Sequence, residues 1–374
     1  MSPTLLQAAL AFSLTLLCIW ALTPVAMRLG LVDAPNHRKL HEGSIPLVGG
    51  LAIYLALLAV SIVWGQTNEG HHALRPDIVR VFLTAGGMLV VLGILDDRFQ
   101  LSVFTRVLAE IGVALFLIES LNLRMANLGD LLGFGEIKLA RWLSYPFTAL
   151  VIFVVINAYN MLDGMDGLLG VIVLITIFAF HLFSGLPPGL VTIVISASLA
   201  AFLISNLGLA PSIPKSFLGD AGSKLLGFIV VALTLSVTSV QVGQTRYIQP
   251  ITAIYLLGLP LFDMAFTTLR RVLDGKSPIR ADNTHIHHLL RELGLSGKRA
   301  LLLISSIGAS IPFLGLMLAK AETPESYQFS ILVGAFILYC IVMTQAWHVA
   351  RKRTQPVEAS LNQVIIEVSP TDKA

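Results

Sequence analysis

Two adjacent aspartates, Asp96 and Asp97, end a long apolar run in the stretch LGILDDRFQLS. An ionisable group at membrane depth is costly and marks function by default. A single Asp at a helix end could simply face water, but an adjacent pair is harder to dismiss. A helix C-terminus disfavours anions, so a cation must compensate nearby. Paired carboxylates can hold a divalent metal or act as a base. In NAYNMLDGMDGLLG, the residues Asn157, Asn160 and Asp163 recur every three positions, with Asp166 following. On a helix that spacing drifts slowly around one face. Gly164 and Gly167 permit tight turns and close approach of backbone to a ligand. Oxygen donors without cysteine suit Mg²⁺ or Mn²⁺.

Three further segments carry chemistry. FLGDAGSKLLG frames Asp220 between Gly219 and Gly222 just before an apolar run, with Phe217 and Lys224 on either side. Asp220 could merely cap the helix that begins there, or it could be a metal carboxylate beside a helix N-terminus that receives phosphate. Phe217 offers a flat face for a base or simply packs. The stretch RRVLDGKSPIRADNTHIHHLL is the most basic of the chain, with Arg280 and the cluster His285, His287 and His288. Zinc-ligand spacing is missing, so phosphate contacts and proton transfer fit that cluster better. DAPNHRKLHEGSIPLVGG supplies Lys39 and His41.

The elements that must position these groups are membrane helices. Of 374 residues, 55% are hydrophobic and 13% charged, against about 25% charged in soluble domains. Eleven apolar runs, each near the length a bilayer of ~30 Å demands, cover 5–26, 46–63, 78–95, 103–121, 143–160, 168–186, 190–207, 225–240, 251–269, 300–318 and 329–346. Backbone in lipid must satisfy its own hydrogen bonds, so the runs are helical. The expected fold is an all-α, polytopic integral membrane bundle of about 11 transmembrane helices. Loops after odd-numbered runs plus the tail hold 17 of the 25 Lys and Arg residues, and Arg106, just inside the fourth run on the same side, makes 18. The positive-inside rule therefore puts those loops and the C-terminus in the cytoplasm and the N-terminus in the periplasm. All five chemical segments fall on that basic side. The organisation expected is one catalytic domain over 1–350, with active-site loops at 28–45, 96–102, 157–168, 208–224 and 270–299. A flexible cytoplasmic tail follows over 351–374.

The exclusions are as useful. Cys18 and Cys340 lie inside apolar runs and make neither a disulfide framework nor a metal site. The first basic residue, Arg28, follows the first run instead of preceding it, so that run reads as a retained helix and not a cleaved signal. A net charge of +3 is too small to suggest nucleic acid. No Walker A sequence is present, which leaves ATP-driven transport without an engine. A secondary transporter would place ionisable groups near the midplane, whereas these lie at run ends. Carboxylates, Mg²⁺ and cations are the tools of phosphoryl transfer, and a site at the bilayer surface points to a lipid substrate.

With five such segments in this order, the sequence resembles the polyprenyl-phosphate N-acetylhexosamine-1-phosphate transferases over roughly 30–294. The forms NAYNMLDGMDGLLG, FLGDAGSKLLG and HIHHLL look like the bacterial branch that begins O-antigen and enterobacterial common antigen synthesis. The branch acting on UDP-MurNAc-pentapeptide usually shows three consecutive histidines. The resemblance implies Mg²⁺, or Mn²⁺ in its place, UDP-GlcNAc as donor and undecaprenyl phosphate as acceptor, with UMP released; another UDP-N-acetylhexosamine or UDP-MurNAc-pentapeptide is the alternative donor. It also implies an enzyme of the bacterial inner membrane, among membrane lipids; a homodimer is the assembly considered, with the oligomeric state left open by the sequence. Asp220 and Asn160 would hold the metal, with Asp166, Phe217, Asp163 and Lys39 on the nucleotide. Asp96 and Asp97 would deprotonate or orient the acceptor. His285, His287, His288, Arg280 and His41 would contact phosphate and sugar. Some relatives carry Lys at the position of Gln100, so Arg98 or Arg106 would take over the acceptor phosphate.

Overall fold

The computed structural model describes residues 2–33, 43–64, 76–238, 247–277 and 284–368, the last sixteen of these as backbone alone. Lys39, His41 and Arg280 lie outside the described residues. Helix α1 (Pro3–Leu29) begins where Ser2 accepts the Leu5 N–H and ends at Gly30, whose φ of 68° a side chain would resist. A two-residue ribbon follows, β1 (Val32–Asp33) antiparallel to β2 (Ile45–Pro46). Then come α2 (Gly49–Trp64), α3 (Pro76–Phe99), α4 (Val103–Leu121), α5 (Arg141–Leu162), α6 (Leu168–Ser184), α7 (Leu190–Asn206) and α8 (Gly219–Thr238). The chain continues through α9 (Pro250–Leu256), α10 (Gly258–Leu273), α11 (Ile286–Glu292), α12 (Gly297–Lys320) and α13 (Glu325–Val368).

Each of the eleven apolar runs is helical over most of its length among the described residues. Among the described residues, six helices are long and apolar enough to cross a membrane, α1, α3, α5, α8, α12 and α13, with a seventh if the bent pair α9–α10 is one span. At ~1.5 Å per residue, α2, α6 and α7, with 16, 17 and 17 residues, fall a little short of the bilayer core. Helix α4 is long enough but carries Arg106, Glu110 and Glu119, two of which turn inward to the site described below. The backbone of α13 stays helical to Val368, so residues 351–368 of the stretch read as a tail continue the last helix.

One run departs from expectation. The sequence reads 251–269 as a single span, but the chain turns by 83° between α9 and α10. Pro260, in the first turn of α10, has no N–H to offer the carbonyl of Leu256, so the helical ladder lapses at the junction. At Gly258 a Cβ would come within 2.3 Å of Ile311, so α12 presses directly on the bend.

Helix α8 is the axis of the bundle, buried along almost its whole length. Glycines let its neighbours in. A Cβ on Gly50 of α2 would lie 2.1 Å from the Gly222 nitrogen, and one on Gly93 of α3 would lie 2.2 Å from the Ala221 nitrogen. A Cβ on Gly227 would lie 2.9 Å from Ile156 of α5. In lipid, helix association rests on close packing at small residues. Here that packing draws the C-terminal ends of α3 and α5 to the N-terminus of α8.

Candidate active site

Asp97 sits one turn beyond Gly93, and its carboxylate accepts the Asp220 backbone N–H at 3.0 and 3.2 Å. It thus caps α8 from a neighbouring helix, in the manner of an N-cap side chain. Asp220 is therefore not the cap of its own helix, and its carboxylate is turned to other partners. Its Oδ1 accepts the Asn160 amide at 3.2 Å, and Oδ2 lies 3.2 Å from Lys224. Asn160 also donates to the Ser223 hydroxyl at 2.7 Å.

Beneath these groups lies a network the sequence conceals. The Lys224 ammonium, 2% exposed, is 3.0 Å from Asp96, 3.2 Å from Asp220 and 3.6 Å from Glu110. Asp96 takes a second cation, Arg106, at 3.2 Å and accepts the Leu101 N–H at 3.0 Å. Glu110 accepts the Asn157 amide at 2.6 Å. The cations demanded by a carboxylate at a helix C-terminus are therefore Arg106 and Lys224 for Asp96. For Asp97 the N-terminus of α8 does that work. Among the described residues no cation comes within ion-pair distance of Asp97.

The loops around this centre are tied to one another. Gly167, with φ 76°, donates its N–H to Asn206 at 2.6 Å, and Asn206 donates to the Ser216 carbonyl at 2.9 Å. Phe217 donates its N–H to the Pro46 carbonyl, and its own carbonyl accepts the Gly49 N–H. The glycine-rich loop after α5, the loop before α8 and the start of α2 are thus held together. Asp166 pairs with Lys215 at 2.5 Å, and that ammonium stands 5.5 Å from the centre of the half-buried Phe217 ring. Asp163, just past the end of α5, is pushed up to about 8 by burial and by the carboxylates of Asp220, Asp97 and Asp166.

The histidines approach from the other side. His287 lies against the glycine-rich loop so closely that a Cβ on Gly164 would fall 2.1 Å from its Nε2. Its ring stacks at 5.8 Å and 5° on that of His285 and lies 4.2 Å from that of His288. Burial, then His288 and His285, bring His287 down to about 3, so it is neutral at physiological pH. Its Nδ1 is buried with no hydrogen-bond partner among the described residues. His285 is instead anchored, its Nδ1 2.7 Å from Asp263.

A family model described as glycosyl transferase family 4 matches residues 79–238, which contain Asp96, Asp97, Asn160 and Asp220. The undecaprenyl-phosphate alpha-N-acetylglucosaminyl 1-phosphate transferase of Yersinia pestis is 35% identical over 334 residues, 87% of this chain and 88% of that protein. The chain belongs to glycosyl transferase family 4. Other members give the same picture. The Escherichia coli (strain K12) protein with that name is 34% identical over 91% of each chain. A probable undecaprenyl-phosphate N-acetylglucosaminyl 1-phosphate transferase of Bacillus subtilis (strain 168) is 34% identical over 91% of this chain and 90% of its own.

In this family member the residues singled out from sequence fall into three groups. Asp96, Asp97, Asn160 and Asp220 converge directly, Asp163, Asp166 and Phe217 line the loops beside them, and His287 reaches the same loop. Of the two arginines, Arg106 joins the centre, whereas Arg98 is exposed and lies over the Phe99 ring at 5.5 Å. His285 is held in the interior, and His288 lies beside Arg291 at 3.5 Å. Glu110, Lys215, Ser223, Asn206 and Asp263 carried no role in the sequence reading. Lys224 was noted there but given none. Glu110 and Asp263 did have a signal: each is an acid in the middle of an apolar run.

Proposed function

We propose that this enzyme transfers GlcNAc-1-phosphate from UDP-GlcNAc to undecaprenyl phosphate with Mg²⁺, releasing UMP, as the first membrane step toward O-antigen or enterobacterial common antigen. The observation that carries this reading is the meeting of Asp96, Asp97, Asn160 and Asp220, from three helices, around one buried lysine. The relatives' names, which give undecaprenyl phosphate and an N-acetylglucosaminyl 1-phosphate group, support the acceptor and the transferred group. The topology proposed with it has eleven spans, a periplasmic N-terminus and the site at the cytoplasmic face of the inner membrane, by the positive-inside rule.

The donor set suits Mg²⁺. It consists of oxygens, and Asp163 is driven up to about 8 among carboxylates, an excess of negative charge that a divalent cation relieves. Among the described residues no group of three or more His, Cys, Asp or Glu side chains forms a ready metal cage. Mg²⁺ characteristically takes one or two carboxylates and completes its shell with water and substrate phosphates. Asp220 and Asn160 would hold it, and bound there it would neutralise charge on the donor diphosphate.

In the reaction an oxygen of the acceptor phosphate forms a bond to the β-phosphorus. The bond from that phosphorus to the bridging oxygen breaks, and the bridging oxygen leaves with UMP. The second pKa of a phosphate monoester is ~6, so the acceptor arrives largely as the dianion. Asp96, bound to two cations, acts as an anchor for Arg106, which is free on its outer side to receive the acceptor phosphate. Asp97 faces the reacting groups and orients the nucleophile. Asp166 and Phe217 take the uracil, Asp163 and Lys39 line the nucleotide, and His287, His288, Arg280 and His41 meet phosphate and sugar. An apolar cavity of about 300 Å³, lined by α5, the far half of α8, α9, Leu261 of α10 and the segment after α4, suits part of a prenyl chain.

The test is purified enzyme with Mg²⁺, undecaprenyl phosphate and radiolabelled UDP-GlcNAc, with UDP-GalNAc and UDP-MurNAc-pentapeptide in parallel. Labelled lipid with UMP is the expected result. UDP in place of UMP would mean ordinary glycosyl transfer, and no lipid product from any donor would overturn the reading. Asp220→Ala should lose Mg²⁺-dependent turnover; near-normal activity would remove that residue from the metal.

A further inference from the structure

Asp263 lies outside the matched segment, in the middle of α10, 2% exposed and surrounded by Phe262, Phe266 and Tyr339. A carboxylate in so apolar a place is costly unless every lone pair is used. Here each oxygen is used. Oδ2 lies 2.7 Å from His285 Nδ1. Oδ1 accepts the Ile286 N–H at 2.9 Å and the Tyr339 hydroxyl at 2.9 Å. The backbone N–H can only donate, and the tyrosine hydroxyl does so here, so Asp263 acts as an acceptor throughout and His285 presents N–H from Nδ1. The partner of one nitrogen fixes what the other can do. Trp347 completes the anchorage by donating its indole N–H to the Thr284 carbonyl at 3.2 Å.

This arrangement has a direction. Asp263 fixes the ring and tautomer of His285 and the first N–H of α11. His285 stacks on His287, and His287 lies on Gly164 of the loop that carries Asp163 and Asp166. We infer that Asp263 is a positioning residue for sugar-phosphate transfer. Working with Tyr339 of α13, it sets the His285 tautomer and thereby the face that the histidine cluster turns to the nucleotide-sugar. The inference rests on the proposed donor reading of that cluster.

Asp263→Asn is the informative change. The amide oxygen keeps the bonds to Ile286 and Tyr339, while its NH₂ faces His285 and forces the other tautomer. By analogy with metal-ligating histidines, where losing the outer hydrogen-bond partner costs ~10–100-fold, kcat/KM for UDP-GlcNAc should fall by about that factor while the folded fraction holds. Tyr339→Phe, which leaves the carboxylate in place, should cost a few-fold. In the double variant with His285→Asn, Asp263→Asn should add almost nothing, because its effect passes through His285. ¹⁵N-histidine NMR of the whole enzyme should show the His285 proton on Nδ1 in the wild type and on Nε2 in Asp263→Asn. An unchanged tautomer, a wild-type kcat/KM, or multiplicative losses in the double variant would each overturn the inference. If Asp263→Asn does not fold, Tyr339→Phe with His285→Asn supplies the same cycle. A wild-type enzyme that forms no lipid product would instead sink the donor reading, while the tautomer measurement would still stand.

Discussion

Lys224→Met tests the buried charge network most severely, because methionine keeps an unbranched stem and removes one positive charge. Three carboxylates lie within 3.6 Å of that charge. After the change Asp96 keeps Arg106 and the Leu101 N–H, and Asp220 keeps the Asn160 amide. Glu110, 1% exposed, keeps only the Asn157 amide among the described residues. Removing one partner of a buried ion pair costs about 3–5 kcal/mol, chiefly through the charge left stranded. Glu110→Gln alone should cost about 1–2 kcal/mol, since Lys224 retains two carboxylates and the amide still pairs with Asn157. If Glu110 is the stranded group, Lys224→Met with Glu110→Gln should be more stable than Lys224→Met alone by about 2 kcal/mol. SDS-driven unfolding in mixed micelles, run on wild type, both single variants and the double, measures each quantity. A Lys224→Met enzyme within about 1 kcal/mol of wild type, or a double variant with simply additive losses, would refute the reasoning.

Other outcomes follow from the same geometry. Asp97→Asn should lower turnover by about 100-fold or more with little change in UDP-GlcNAc affinity, read by steady-state kinetics beside isothermal titration; lost nucleotide binding would reassign the residue. Asp163, raised from 3.8 to about 8 by burial and neighbouring carboxylates, holds a proton in the folded state that the unfolded chain has released. Stability without divalent cation should therefore fall as pH rises between those two values, and Asp163→Asn should flatten that slope in the same unfolding assay. Gly93→Ala would drive a methyl into the Ala221 nitrogen and should part α3 from α8, lowering stability by about 3 kcal/mol and turnover with it. Unchanged activity in that variant would show that the two helices can separate harmlessly.

Much of this was legible in the chain itself. Ten of the eleven apolar runs became single helices over most of their described length, and the run 103–121 matches α4 to the residue, because Ser102 caps its start and Asn122 adopts φ 51° at its end. The acids at run ends converge as their cost in lipid suggested. What stayed hidden depended on partners from distant segments. Glu110 reads as an interruption in an apolar run until Lys224, 114 positions on, is seen 3.6 Å away. Whether Asp220 caps its own helix stays open until Asp97 arrives from α3 to take that role. The bend after α9 was signalled by Gly258 and Pro260 but outweighed by the unbroken hydropathy around them.

That bend has a consequence for where substrate comes from. The 83° turn lies beside an apolar hollow lined from α9 and from Leu257 and Leu261 at the bend. A molecule confined to the bilayer can enter such a hollow by sliding sideways, with its tail never meeting water. On the proposed reading the acceptor is then encountered by diffusion in two dimensions. What governs its supply is the number of molecules per area of leaflet, so dissolving the membrane in detergent dilutes this substrate even when its bulk concentration is unchanged.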